Sequence, residues 1–192
     1  MIGPQAIRFD DEVERSVIEA LQRGDVQAMT EFVHRNTQWV RSVIFGVLGR
    51  ASDVDDVAQR VWLKVWQEAP RLEDPGRWRP WVYRIARNAA TDAGRALRRR
   101  RKALEQVADG VSRGHGRVPP PDVQVAARER QALMLEAIAS LPELYREPFV
   151  LRHTEGMSYR QIGELLGLPP DTVETRLVRA RRMLRERLAG RV

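Results

Sequence analysis

The 192 residues carry a formal net charge of +7 and a pI of about 10.8, a balance that favours a polyanionic partner. With 43% hydrophobic residues the chain can bury a core in one or two compact domains. It has no cysteine, which excludes disulfides, thiolate metal sites and cysteine nucleophiles. No apolar run approaches the roughly 20 residues needed to cross a bilayer, and the polar start MIGPQAIRFDDEVE does not read as a secretory signal. A cytoplasmic protein is expected.

Residues 1–9 read as a loose terminus. Asp10 or Asp11 can cap a first helix with Val13, Val17, Ile18 and Leu21 on one face, ending near Gly24. Asp25 can cap a second, with Met29, Phe32, Val33, Val40, Val43, Ile44 and Leu48 inward and Gly49 as its stop. Ser52, with Asp55 in capping-box position, opens a third. Val54, Val57, Ala58, Val61 and Val65 form its apolar stripe. Asp53, Asp56, Gln59, Arg60 and Gln67 face away from it, and Leu63 projects opposite, with Trp66 well outside. Exposed apolar groups beside carboxylates suit a protein-binding face, unless another helix covers them.

Pro70–Gly76 reads as a turn, and Pro80 begins a long helix. Val82, Ile85, Ala86, Ala89, Ala93 and Leu97 face inward; Arg84, Arg87, Asn88, Asp92, Arg95 and Arg98 face out. Arg77–Lys102 holds ten bases and one acid, whereas Asp10–Glu31 holds seven acids and two bases. Such asymmetry argues for a directed electrostatic face. Trp78, Trp81 and Tyr83 cluster at the helix start, and aromatics among arginines suit single-stranded nucleic acid, with phosphate on guanidinium and bases on rings. The competing possibility is tryptophans in the core and arginines in solvent, and at least one tryptophan is expected in the core.

Residues 101–126, with scattered glycines and three consecutive prolines, read as a flexible linker. It divides the chain into 1–100, 101–126 and 127–192. A helix over 127–140 would turn Leu133, Met134, Ala137, Ile138 and Leu141 inward. Another runs from Pro142 to about Thr154, with Pro148 expected to kink or split it. Ser158 and Gln161 have capping-box spacing, Gly163 permits close approach, and Gly167 suits a left-handed stop. Pro169 and Pro170 restart a helix in which Val173, Leu177, Ala180, Leu184 and Leu188 recur at helical spacing. Asp171–Val192 holds seven arginines against three acids. A short helix, a glycine turn and a basic second helix form the helix-turn-helix pattern; a helical hairpin with a solvated basic face is the plainer alternative. No segment alternates like a strand, so the expected fold is all-α: two small helical domains, the second a helix-turn-helix domain.

Taken together, SDVDDVAQRVWLKVW, WRPWVYRIARNAATDAGR and LPELYREPFVLRHTEGMSYRQIGELLGLPPDTVETRLVRARRML resemble the bacterial RNA polymerase sigma factors of the small extracytoplasmic-function (ECF) class. The resemblance implies a transcription initiation factor that binds core polymerase through Asp53, Asp56 and Gln59. It implies −10 recognition and promoter melting through Trp81, Arg84, Asn88, Asp92 and Arg95, with a base flipped from the stack and captured. It places −35 recognition in the helix-turn-helix at 158–182, through Ser158, Tyr159, Thr172, Glu174, Thr175, Arg176 and Arg179. An anti-sigma protein is a plausible partner by the same resemblance. Glu174 departs from the family pattern: a carboxylate there either accepts from cytosine N4 or weakens phosphate contact. The linker, with Arg113, His115 and Arg117, is less acidic than a segment lying in an RNA path.

A free-standing helix-turn-helix regulator would need neither the acidic third helix nor the aromatic-basic fourth. An enzyme is disfavoured because His34, His115 and His153 lack ligand spacing and no GxxxxGK[ST] loop is present. Asp53, Asp55 and Asp56 are explained by a helix start more simply than by magnesium. No cofactor or metal is expected.

Overall fold

The computed structural model describes residues 11–107 and 123–189. Among these the chain forms α1 (Asp11–Gln22), α2 (Val26–Leu48), α3 (Val54–Glu68), α4 (Trp78–Val107), α5 (Val123–Ala139), α6 (Glu143–Thr154), α7 (Tyr159–Leu166) and α8 (Pro170–Leu188), with no strand. The all-α expectation holds. Residues 1–9 and the middle of the predicted linker, 108–122, lie outside the described residues. The ends of that linker are helical, because α4 continues to Val107 and α5 begins at Val123.

α2 is the centre of the N-terminal helices. Asp25 caps it by accepting from the backbone of Gln27 and Ala28, and Gly49 ends it at φ +66°. Phe32, Trp39, Val40, Val43 and Ile44 of α2 join one core with Ile18 and Leu21 of α1, Val57, Val61 and Val65 of α3, and Trp78 and Val82 of α4. Trp78 meets Phe32 edge-on at 5.3 Å and Trp39 at 5.7 Å, the T-shaped geometry that aromatic quadrupoles favour.

Three helix starts differ from expectation. The Ser52–Asp55 capping box does not form: Ala51–Asp53 is a 3-10 turn, α3 begins at Val54, and Asp55 is instead drawn into an ion pair with Arg41 of α2. α4 begins at Trp78 rather than Pro80, which the first turn tolerates because its amides have no intrahelical partner. α6 begins at Glu143, with Pro142 as its N-cap. Pro148 neither kinks nor splits α6 but sits buried inside an unbroken helix. Leu133 and Met134, expected inward, are 37% and 46% exposed, because α5 meets little beyond α8 over this stretch.

α6 lies along α2, so the C-terminal helices pack directly on the N-terminal ones. Gly46 permits this approach, since a Cβ there would stand 3.3 Å from Glu147 Cα. Arg146, only 7% exposed, secures it. Its Nε and Nη2 donate to the carbonyls of Gly46 and Val47 (2.9 and 2.7 Å), while Nη1 donates to those of Ala139 and Leu141 (2.9 and 2.8 Å). One fixed charge thus meets the negative ends of α2 and α5, whose last carbonyls lack intrahelical partners. Gly49 is needed here twice, for its left-handed φ and because a Cβ would lie 2.6 Å from Arg146 Cζ. Glu155 is buried at the other end of α6, and among the described residues neither of its oxygens has a hydrogen-bond partner. Burial lifts its carboxyl above the ordinary range; the Ser42 hydroxyl of α2, outside hydrogen-bonding geometry, partly offsets this.

Candidate nucleic-acid interface

α4 presents Arg84, Asn88, Asp92 and Arg95 to solvent along one stripe. Their spacing keeps them within about 80° around the helix axis at 100° per residue. Arg95 pairs with Asp92 at 3.3 Å, and both are more than half exposed. The aromatic cluster behaves differently from the stacking expectation. Trp78, Trp81 and Tyr83 are 1%, 8% and 5% exposed, so they are built into the core rather than offered to bases. Trp81 nevertheless borders a cleft of about 480 Å³ with Arg71, Leu72, Glu73, Asp74, Arg77, Pro80 and Arg84. That cleft has a fixed wall. Asp74 accepts from the Gly76 amide at 2.8 Å, and Gln22 of α1 donates to the Leu72 carbonyl at 2.6 Å. The motif pattern missed Arg71, Glu73, Asp74 and Arg77; only the charge density of the turn signalled them.

A second edge of α4 faces α6. Tyr83 donates its hydroxyl to Glu147, and Arg87 meets Glu147 at 3.2 Å and Glu143 at 3.6 Å. Burial pushes the Tyr83 hydroxyl far above its usual range, and the Glu147 carboxylate adds to this. Burial likewise raises the Glu147 carboxyl, against the opposing hydrogen bond from Tyr83 and the charge of Arg87. Burial works against the charge of Arg87 too, but Glu147 and then Tyr83 and Glu143 hold its guanidinium above the ordinary value.

On α3, Asp56 and Gln59 are exposed, while Asp53, in the 3-10 turn just before it, is half-buried and paired with Arg50 at 3.0 Å. Leu63, 58% exposed, projects on the same side as Asp56 and Gln59. No described helix covers it, whereas Trp62 and Trp66 pack against the core. A polar face carrying Asp56, Gln59 and Arg60 around an apolar centre is therefore left open.

The helix-turn-helix is built by local chemistry. Ser158 and Gln161 form the predicted capping box, and Gly167 ends α7 at φ +67°. Gly163 is required by the turn rather than by a neighbouring helix, since a Cβ there would lie 2.5 Å from the Leu168 carbonyl oxygen. On α8, Val173, Leu177, Ala180 and Leu184 are buried. Thr172, Thr175, Arg176 and Arg179 gather on another face, around a cleft of about 280 Å³ with Leu144, Tyr145 and Asp171. Arg179 approaches the Tyr145 hydroxyl at 3.5 Å. Glu174 is exposed but does not border that cleft; it lies about 160° around the axis from Arg176, on the flank of Arg181 and Arg185. Ser158 is engaged in its cap, and half-buried Tyr159 accepts a bond from Arg181 at 3.3 Å beneath Arg152.

Comparison with known proteins agrees with this layout. The family model for sigma-70 region 2 matches residues 32–102, and that for sigma-70 region 4 matches 128–184. The chain is 29% identical over 180 residues to the ECF RNA polymerase sigma-E factor of Haemophilus influenzae, covering 91% of this chain and 95% of that protein. It is 26% identical over 187 residues to the ECF RNA polymerase sigma factor SigW of Bacillus subtilis, covering 89% and 94%. Among solved structures, CnrH in complex with the cytosolic domain of CnrY matches with a TM-score of 0.67 and 26% identity, over 93% of this chain and 99% of that one. With both region models in order along one helical chain, the protein belongs to the ECF class of the sigma-70 family.

Proposed function

We propose that the protein is a cytoplasmic transcription initiation factor that binds core RNA polymerase, directs it to −10 and −35 promoter elements and promotes melting of the promoter. The coexistence in one chain of an open face on α3, with Leu63 exposed among polar side chains, and exposed basic faces on α4 and α8 supports this function above the alternatives. A free-standing regulator would have no use for the first of these faces. Residues 1–100 and 127–192 act as two units joined by 101–126. Asp53, Asp56 and Gln59, around Leu63, contact the polymerase. Arg84, Asn88, Asp92 and Arg95 face the −10 strand, and the cleft beside Trp81 has room for one extruded base. Thr172, Thr175, Arg176 and Arg179 face the −35 duplex, with Ser158, Tyr159 and Glu174 at its margin. The protein carries out no bond chemistry of its own: unpairing costs a few kcal/mol per base, which captured bases and backbone contacts offset.

The two units must part for this to happen. Elements about 25 base pairs apart are separated by about 85 Å of B-form duplex. A folded chain of 192 residues has a radius of gyration of only about 16 Å. With α6 against α2, the −10 and −35 faces cannot reach both elements at once, so α6 has to leave α2 while 101–126 keeps the two units joined. An anti-sigma protein is a further proposed partner, supported by the solved complex of the related CnrH with the CnrY cytosolic domain.

Replacing Asp56 and Gln59 with Ala and Leu63 with Ser is expected to weaken core-polymerase affinity by at least about tenfold, since central interface residues contribute about 1–2 kcal/mol or more each. Titration of labelled protein with purified core checks this. Unchanged affinity in the triple variant would remove α3 from the interface.

A further inference from the structure

Arg87 and Tyr83 lie beside the proposed −10 face but not on it. Around the helix axis Arg87 is about 60° from Arg84, on the edge that α6 covers. What covers it is acidic: Glu147 at 3.2 Å and Glu143 at 3.6 Å from the Arg87 guanidinium, with the Tyr83 hydroxyl also donated to Glu147. A guanidinium held by two carboxylates, with a hydroxyl donor alongside, is equally suited to a phosphate, because the same planar fork recognises both anions. When the C-terminal helices leave, both carboxylates go with them. Arg87 and Tyr83 are then left without their anion, at the margin of the Arg84–Asn88–Arg95 stripe.

We infer that Arg87, assisted by the Tyr83 hydroxyl, is a binding site for a backbone phosphate of the promoter strand, a site that Glu143 and Glu147 occupy while α6 is docked. The inference rests on the promoter-binding reading above. Docking of α6 and binding of this phosphate then exclude one another, so each carboxylate competes with the promoter for the same donors. The basic face of the engaged protein is wider than the stripe visible with α6 in place.

The test is equilibrium binding of the full-length protein, assembled with core polymerase, to a promoter fragment over a range of salt concentrations. Each neutralised phosphate contributes about 0.7–0.9 to the slope of log K against log salt. Arg87→Ala is expected to lower the slope by about that amount and to weaken binding by about five- to tenfold near 0.1 M salt. Arg87→Lys should retain the slope, and Glu143→Gln with Glu147→Gln should retain it while tightening binding. A purely structural strap gives the opposite sign: Arg87→Ala would then bind as tightly as or more tightly than the parent, with the parent's slope, and the inference would be overturned. If the unmodified holoenzyme bound no promoter, the initiation reading itself would fail; a parent that binds with Arg87→Ala indistinguishable from it sinks only the phosphate site.

Discussion

Cysteines introduced at Gly46 and Glu147 are expected to silence the protein when oxidised and to release it when reduced. A Cβ built on Gly46 lies 3.8 Å from the Glu147 Cβ, the mean separation across a disulfide, and 3.3 Å from its Cα, a crowding that a shift of a few tenths of an ångström between α2 and α6 relieves. The chain has no other cysteine, so the introduced pair forms the only intramolecular bond available. Its partners come from α2 and α6, which must separate if −10 and −35 faces are to engage elements about 85 Å apart. Oxidised protein should therefore give less than about a hundredth of the reduced protein's promoter-directed transcript, a loss of roughly 3 kcal/mol or more in productive binding. Reductant should restore it. The reduced pair should be at least as active as the parent, because Glu147→Cys also removes the carboxylate that holds Tyr83 and Arg87. Full activity in the oxidised form would show that the factor works with α6 docked.

The second large effect separates the aromatic from the basic component of α4. Trp78→Ala removes a side chain 1% exposed that meets both Phe32 and Trp39. Such a truncation costs about 3–5 kcal/mol, which in a domain of this size lowers the melting temperature by more than about 10 °C. Arg84→Ala with Asn88→Ala removes exposed groups and should change stability by no more than about 0.5 kcal/mol each. It should nevertheless reduce promoter opening by roughly tenfold or more, since a good base or phosphate contact contributes about 1–3 kcal/mol. Thermal melts alongside permanganate footprinting of the −10 region distinguish the two. Equal loss of stability from both variants would contradict the assignment of the Arg84 stripe to nucleic acid.

The contrast between these residues also explains what could be read from the chain. Asp25, Gly49, the Ser158–Gln161 box and Gly167 behave as their neighbours dictate, because caps bond within a few residues. The α3 stripe was equally legible, since every one of Val54, Val57, Ala58, Val61 and Val65 is buried. The Trp78, Trp81 and Tyr83 cluster was not, because an aromatic-basic pattern is the same whether rings pack inward or stack on bases. Periodicity distinguishes helix faces but not which neighbour arrives.

The hidden part of the site is hidden for a physical reason. Tyr83 and Glu147 are 64 residues apart, and Arg146 reaches Gly46 across 100. Nothing local marks Arg146 or Glu147 as buried, and charged residues are ordinarily expected at the surface. Arg87 was legible as an outward-facing base, but its acidic neighbours were not. Glu174 was legible as an anomaly, and helix geometry turns it away from the Arg176–Arg179 cleft.

Transcription reconstituted from purified core polymerase, this protein and genomic DNA fragments of the same bacterium, with transcript 5′ ends sequenced, decides whether the chain initiates transcription. Discrete start sites that depend on the added protein and share paired upstream elements are the expected result. Core binding no better than that of albumin, with no start site beyond those of core alone, would contradict an initiation role.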